Sequence, residues 1–126
     1  MNVFFLDDDS YRHSVVRVAA RQHGVQLVAV RTVDDALDAI EAQPFDLILL
    51  DHDLDGQTYV PSGPGTGYEV ATAIPASVNA GTPVIVHSLN EPGARAMIDA
   101  IGPTAQWVPF PQLHLHLATL FAPRRP

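Results

Sequence analysis

Carboxylate side chains follow two apolar segments of the chain, where metal or proton chemistry could be built. One segment is Val3–Leu6 and the other is Leu47–Leu50. The carboxylates that follow them are Asp7, Asp8, Asp9, Asp51, Asp53 and Asp55. Carboxylates within a few ångströms of each other repel, so one must be protonated or a cation must neutralise them. Divalent cations are the common remedy, because Mg²⁺ and Mn²⁺ take carboxylate and water oxygens as ligands.

Some of these carboxylates are better candidates for metal binding than others. The predicted ligands are Asp7, Asp8, Asp51 and Asp53. We expect the metal to be Mg²⁺ or Mn²⁺, and an imidazole among the ligands would shift the preference toward Mn²⁺, Fe²⁺ or Zn²⁺. Asp9 has a simpler interpretation as a solvated strand end, because an acidic residue beside a helix N-terminus is also stabilised by the helix dipole.

Two histidines lie beside the acidic residues. His52 stands between Asp51 and Asp53, and His87 follows the apolar segment Val84–Val86. An imidazole titrates near neutral pH, so either ring could act as a ligand or as a general acid or base. Side chains alternate along a strand, so His52 can also point away from its neighbours and be a plain hydrogen-bonded residue. The remaining histidines, which we expect on solvated helix faces, are His13, His23, His114 and His116.

Arg12 is the candidate contact for an anion. It falls in the first turn of the helix predicted after the first acidic cluster, and helix N-termini and arginine both favour phosphate. A surface ion pair is the alternative interpretation. Arg95, which follows the fourth predicted strand, is a weaker candidate of the same kind.

Composition limits the classes of protein and of chemistry. With 126 residues and 47% hydrophobic content, the chain suits one globular domain, which we place at residues 1–122 with a frayed tail at 123–126. The absence of cysteine excludes disulfides, thiolate zinc sites and a cysteine nucleophile. All seven basic residues are arginine, which excludes lysine Schiff-base chemistry, and the net charge of -7 argues against tight non-specific binding of nucleic acid.

The same sequence gives no sign of a membrane protein or a secreted one. No apolar run approaches the roughly 20 residues that a membrane helix needs. The start of the chain has no basic region of the kind that opens a secretory signal. We therefore expect a cytoplasmic location with no membrane contact.

Apolar segments alternate with amphipathic ones in five β–α units, which predicts a parallel sheet with crossover helices. The predicted strands are Val3–Leu6, Gln26–Val30, Leu47–Leu50, Val84–Val86 and Gln106–Val108. The predicted N-caps of three of the helices are Ser10, Thr32 and Asn90. The fold class is α/β, a three-layer flavodoxin-like sandwich with strand order 2-1-3-4-5. In this order strands one, three and four are neighbours, so the acidic residues and His87 meet at one edge of the sheet.

A segment rich in glycine and proline at 55–66 follows the third strand. It is longer than the usual connection in a small α/β domain. Long loops beside strand ends often cover a functional site, and Tyr59 would then be a lid residue. A tolerated insertion without function is the alternative.

Several motifs resemble the receiver domains of two-component response regulators, over nearly the whole chain. "VFFLDDD" is similar to their first strand and acidic pair, which would be Asp7 and Asp8 or Asp8 and Asp9. "DLILLDHDL" is similar to the strand that carries the phosphoacceptor, which implies that role for Asp51. "TGYEVATAI", "TPVIVHS" and "WVPF" resemble the third helix, the fourth strand with Ser88 at the hydroxyl switch position, and the segment before the last helix.

Two departures separate the chain from ordinary receivers. Val108 stands where receivers carry a lysine that pairs with phosphate, and the two histidines are additions. The pattern "LDDD…R…LDHDL…TGYE…IVHSLN" is more similar to the cyclic-phosphate processing receiver domains, which are associated with RNA repair.

That resemblance implies a metal-dependent phosphoesterase acting on the cyclic phosphate of a nucleotide or an RNA end. Under this hypothesis, Asp51, His87 and His52 are catalytic. Arg12 and Ser88 hold phosphate oxygens, and Tyr59 covers the substrate.

The alternative is an atypical receiver without the lysine. It would signal through phosphorylation of Asp51, or by binding a protein partner through the face formed by helix four and strand five, including residues 107–110. A small-ligand sensor without turnover is a third interpretation.

Overall fold

A computed structural model describes residues 1–54 and 56–123 and shows one parallel sheet in the order β2-β1-β3-β4-β5. The strands are β1 Asn2–Leu6, β2 Gln26–Val30, β3 Leu47–Leu50, β4 Val84–Val86 and β5 Ala105–Trp107. The helices are α1 Ser10–Gln22, α2 Val33–Ala42, α3 Gly67–Ala73, α4 Glu91–Ile101 and α5 Phe110–Phe121. The predicted fold class and strand order are confirmed.

The sheet is buried on both faces, which is why its central strands are continuous apolar runs. Phe4 and Leu6 of β1 pack in a core that α2, α3 and α4 cover. Val3 and Phe5 point the other way, into a core that α1 and α5 cover. Within the described residues, no helix is long and apolar enough to cross a membrane.

The helix caps place the polar residues at the strand ends. The predicted caps Thr32 and Asn90 are confirmed, since each side chain accepts a backbone N–H of its own helix. The Ser10 cap is wrong: Asp9 caps α1, because its Oδ2 accepts the N–H of Arg12 at 2.9 Å and Ser10 is already helical.

The connection from β3 to α3 is a long loop, as the sequence predicts. Residues 56–66 form no helix or strand, while Asp55, the predicted first residue of the loop, lies outside the described residues. The predicted tail at 123–126 likewise lies outside them, apart from the exposed Pro123. The loop ends at Gly67, whose N–H donates to the carbonyl of His52 at 2.8 Å.

A substitution at Gly67 would test the close packing between α3 and the end of β3. A Cβ on Gly67 would collide with the backbone carbonyl of Asp51. We expect Gly67→Ala to lower the free energy of unfolding by about 1–3 kcal/mol, measured by urea denaturation, because one of the two backbones must move. Gly63→Ala is the matched control, since its Cβ would meet open space. Equal effects of the two substitutions would contradict this packing.

Candidate functional site

Asp7, Asp51 and His87 meet at the carboxyl edge of the sheet because they extend three strands that are in register. Leu6 pairs with Leu50, and Leu50 pairs with Val86, so the residue after each lies beside the others. Asp7 and His87 are fully buried, and Asp51 is 4% exposed. One nitrogen or oxygen atom of each of these three side chains lies within 4.8 Å of the other two, the spacing of a candidate metal site.

Each of the two carboxylates, Asp7 and Asp51, accepts a backbone N–H with one oxygen. The other oxygen of each faces the guanidinium of Arg12. Asp7 Oδ1 accepts the N–H of Asp9 at 2.8 Å, and Asp51 Oδ1 accepts the N–H of His52 at 2.9 Å. Arg12 Nη1 lies 3.3 Å from Asp7 Oδ2 and 3.9 Å from Asp51 Oδ2. The guanidinium of Arg12 also lies over a phenyl ring, 4.9 Å from the centroid of Phe110, which fixes it at the edge of the cluster.

One arginine does not neutralise this pair. Burial raises the pKa of Asp51 to about 8, and the neighbouring Asp7 adds to the rise while Arg12 opposes it. Burial also raises the pKa of Asp7, against the hydrogen bond from Asp9 and the charge of Arg12. The two carboxyls therefore retain a proton near neutral pH when no further cation is bound, and a divalent cation would displace it.

The imidazole of His87 is neutral and enclosed by aromatic rings. It stacks on Phe5 at 5.3 Å between centroids and meets Phe110 edge-on at 5.8 Å. Burial lowers the pKa of His87 to about 3, and the charge of Arg12 lowers it further, while the carbonyls of Leu6 and of His87 itself oppose the shift. Nδ1 lies 3.7 Å from Asp7 Oδ2, and neither ring nitrogen has a partner at hydrogen-bonding geometry among the described residues.

These contacts fit a bound divalent cation. The buried side chains supply two carboxylate oxygens and a neutral nitrogen lone pair in one place, and each is a common ligand for first-row metals. The unpartnered nitrogens of His87 are the observation that favours a ligand there, because a buried polar atom without a partner is costly.

His13 differs from its prediction as a solvated histidine. It is 3% exposed, its Nε2 donates to the Asp7 carbonyl at 2.7 Å, and its ring meets Phe5 edge-on. Position 13 faces the sheet because α1 packs that side on β1. His114 and His116 are exposed as predicted, and His23 is half-buried.

The structure uses Asp8 and Asp53, two of the predicted metal ligands, to hold the loop. Asp8 Oδ2 accepts the N–H of Gly56 at 2.6 Å. Asp53 accepts hydrogen bonds from Tyr59 N at 2.6 Å and from the Asn90 side chain at 3.0 Å. Partial burial acts to raise the pKa of Asp53, but hydrogen bonds, first that from the His52 ring, outweigh it and lower the pKa below its ordinary value.

His52 lies outside the buried cluster, on the opposite face of the chain. Its Nδ1 is 2.7 Å from Asp53 Oδ1, and its Nε2 is 2.9 Å from Ser62 Oγ. The fully buried ring packs against Gly93, where a Cβ would lie 2.6 Å from a ring carbon. His52 thus anchors the loop to β3 and α4. The sequence pattern missed Ser62 and Gly93, and only the capping signal pointed to Asn90.

An open pocket of about 640 Å³ lies over the cluster. Arg12 and Asp51 form its floor, Asp8 and Asp9 form one rim, and Tyr59 stands on the loop side. Tyr59 is 70% exposed and its backbone has φ of 53°, so the hydrogen bond to Asp53 holds the loop in a left-handed turn there.

Ser88 connects this pocket to the outer face of the sheet. The residue lines the pocket, its Oγ accepts the N–H of Asn90 at 3.0 Å, and its carbonyl accepts the indole N–H of Trp107 at 2.8 Å. Phe110, predicted on the partner face with Trp107, is instead buried against His87, because it begins α5 on the inner side. The predicted face at 107–110 therefore lacks its last residue.

Solved structures similar to this chain include receiver domains. The chain is 21% identical to the receiver domain of the sensor histidine kinase PA1611 of Pseudomonas aeruginosa, a structure with magnesium coordinated in its active-site cleft; the match covers 95% of this chain and 93% of that one, with a TM-score of 0.73. It is 20% identical to the chemotaxis response regulator CheY4 of Vibrio cholerae, over 94% and 93%, with a TM-score of 0.71. These likenesses establish the fold. No curated relative matches significantly.

The family model for the cyclic-phosphate processing receiver domain matches residues 1–102. The chain belongs to this family. The resemblance expected from the sequence motifs is therefore confirmed for a receiver domain of the response-regulator type. The matched range contains Asp7, Arg12, Asp51 and His87, and it ends before Val108.

The raised pKa of Asp51 predicts how stability depends on pH. The folded protein keeps the proton of Asp51 up to about pH 8, whereas the unfolded chain loses it near 3.8, so wild type loses stability as the pH rises between these values. In EDTA, we expect Asp51→Asn to have a higher Tm than wild type at about pH 8.5, with the gain mostly gone at about pH 5.

Asp38→Asn, on the exposed face of α2, is the matched control and should shift Tm equally at both pH values. An Asp51→Asn protein that is less stable than wild type at the higher pH would show that the buried carboxylate stabilises the fold.

Proposed function

We propose that this receiver domain is a metal-dependent phosphoesterase that acts on the cyclic phosphate of a nucleotide or an RNA end. The observation that carries the proposal is the cluster of Asp7, Asp51 and His87 below an open pocket, with Arg12 between the cluster and the pocket. Two carboxylates that can bind a divalent cation, together with the positive charge of Arg12, suit a phosphate ester. The family description also names cyclic phosphate.

Asp7 and Asp51 would hold the divalent cation, since a carboxylate oxygen of each lies within 4.8 Å of the other and of a ring nitrogen of His87. A bound cation of this kind polarises a phosphoryl oxygen and lowers the pKa of a water molecule. Asp8 and Asp53 have a supporting part, because their carboxylates keep the loop beside the pocket.

Arg12 would hold phosphate oxygens. Its side chain is 21% exposed and lines the pocket, so the guanidinium can accept an anion while it remains near the carboxylates. Tyr59 lies opposite, with an exposed ring on which a base could stack. Ser88 lines the same pocket, although its Oγ already accepts the N–H of Asn90.

His87 can bind a metal, but it is a poor general acid and a poor general base near neutral pH, because burial lowers its pKa to about 3. His52 takes no part in the proposed chemistry, because its two ring nitrogens already contact Asp53 and Ser62. We therefore propose His52 as the residue that positions the loop.

The charge of the protein favours a small substrate. The net charge is -7, and Asp8, Asp9 and Asp53 surround the pocket mouth. A long RNA would meet repulsion along its backbone, whereas a mononucleotide or a chain end brings little charge beyond the reacting phosphate. A cytoplasmic location, where such ends and nucleotides occur, is part of this proposal.

³¹P NMR of the full chain with a 2′,3′-cyclic mononucleotide tests the proposal. We expect conversion to a 2′- or 3′-monophosphate with Mn²⁺, Mg²⁺ or Zn²⁺, and none in EDTA. Arg12→Ala should lower kcat/KM by about 100-fold, because one fixed charge at the phosphate is lost. Arg17→Ala, on the exposed side of α1, is the control and should act like wild type. Conversion that persists in EDTA, or no conversion with any of the three metals, would contradict the proposal.

A second candidate is a signalling receiver, and the hydrogen bond from Trp107 to the Ser88 carbonyl favours it. That contact joins the pocket to the face of α4 and β5, where Leu89 is 48% exposed and Arg95 lies 5.9 Å from the Trp107 ring centroid. Binding at Asp51 could therefore change a partner surface. If so, beryllofluoride with Mg²⁺ should shift amide resonances near Asp51 and change Trp107 fluorescence; unchanged spectra would exclude this candidate.

A further inference from the structure

His87 is a buried polar side chain that makes no hydrogen bond with any of the residues that the structure describes. The ring is fully buried, and both nitrogens lack a hydrogen bond within the described part of the chain. Phe5 stacks on one face of the ring and Phe110 meets it edge-on, while the nearby carbonyls of Leu6 and of His87 itself do not reach hydrogen-bonding geometry. An unpaired buried polar group destabilises a fold, so an imidazole would be a poor choice here if packing were its only task.

The open side of the ring points to the carboxylates. Nδ1 lies 3.7 Å from Asp7 Oδ2, and an atom of Asp51 completes a set within 4.8 Å. Ligand atoms of one first-row metal ion, bound at about 2.1 Å, lie about 3 to 3.5 Å apart. The widest pair in a set bounded by 4.8 Å would therefore close by up to about 1.3–1.8 Å around an ion, a movement that side-chain rotation can supply.

We propose that His87 is a direct metal ligand through Nδ1, and that it makes this centre selective for Mn²⁺, Co²⁺ or Zn²⁺ over Mg²⁺. The inference rests on the divalent site of the proposed function and names its third protein ligand and its class of metal. Two carboxylates alone would favour a hard ion that keeps its waters, whereas an added imidazole favours the later first-row metals.

The surroundings of His87 suit this role. A metal-bound histidine is a neutral imidazole, and the ring of His87 is fully buried against Phe5 and Phe110, an apolar setting that suits a neutral ligand. Arg12 approaches the same Asp7 oxygen at 3.3 Å, but a carboxylate oxygen has two lone pairs and can accept Arg12 while it binds an ion. With Asp7 and Asp51 ionised, Arg12 and a divalent ion leave a net positive centre that faces the pocket, which is suited to an anionic ester.

Pulsed EPR of the Mn²⁺-loaded full chain, without substrate, tests the ligand directly. We expect electron spin echo modulation from a coordinated ¹⁴N of imidazole in the wild type. The modulation should disappear in His87→Phe, which keeps an aromatic ring in the stack. It should persist in His13→Gln, the matched control for the other buried histidine near the site. Mn²⁺ bound by the wild type without ¹⁴N coupling would overturn the proposal, whether or not His87→Phe folds.

Calorimetric titration tests the selectivity. Wild type should bind Co²⁺ or Zn²⁺ at least about 10-fold more tightly than Mg²⁺, and His87→Phe should lose about 10-fold or more of its Co²⁺ affinity with little change for Mg²⁺. Equal affinities of the wild type for Co²⁺, Zn²⁺ and Mg²⁺ would overturn the proposed selectivity. The two claims fail separately: turnover that survives EDTA removes the proposed function, while the EPR result concerns the metal ligand alone.

Discussion

The arrangement of this protein depends on a repulsion between two carboxylates that the sheet forces together. Asp7 and Asp51 follow paired residues of β1 and β3, so the register of the strands places them side by side in a buried position. Arg12 supplies one positive charge for the two, and burial still raises the pKa of both. A site of this kind gains most from a divalent cation or a bound proton, and its chemistry follows from that need.

Asp8 and Asp53, the other two predicted ligands, hold the loop that follows β3. Asp8 and Asp53 use their oxygens on backbone N–H groups of the loop, at Gly56 and Tyr59. His52 continues this network to Ser62. The residues at the strand ends therefore have two roles. Asp7, Asp51 and His87 form the buried cluster, whereas Asp8, His52 and Asp53 hold the loop beside the pocket. The same short segments thus supply both the site and its wall.

The sequence predicted the sheet order and the meeting of strand ends, because apolar runs and crossover helices leave few topologies. It also predicted that His87 and the carboxylates of β1 and β3 would be neighbours. It could not tell which aspartates belong to the buried cluster and which hold the loop. Asp8 and Asp53 differ from Asp7 and Asp51 only in where their side chains point, and that depends on tertiary packing. His13 was placed on the surface because a polar residue in a helix is usually exposed; its hydrogen bond to a carbonyl of β1 has no local signal.

Anomalous diffraction from crystals soaked in Mn²⁺ would locate a cation in this site without assuming an activity. We expect a peak within about 2.5 Å of an oxygen of Asp7, an oxygen of Asp51 and Nδ1 of His87. The loop carboxylates of Asp8 and Asp53 should keep their contacts with Gly56 and Tyr59. A peak bound instead by Asp8 and Asp53, or no peak at saturating Mn²⁺, would contradict the claim that the buried carboxylate pair is a metal centre.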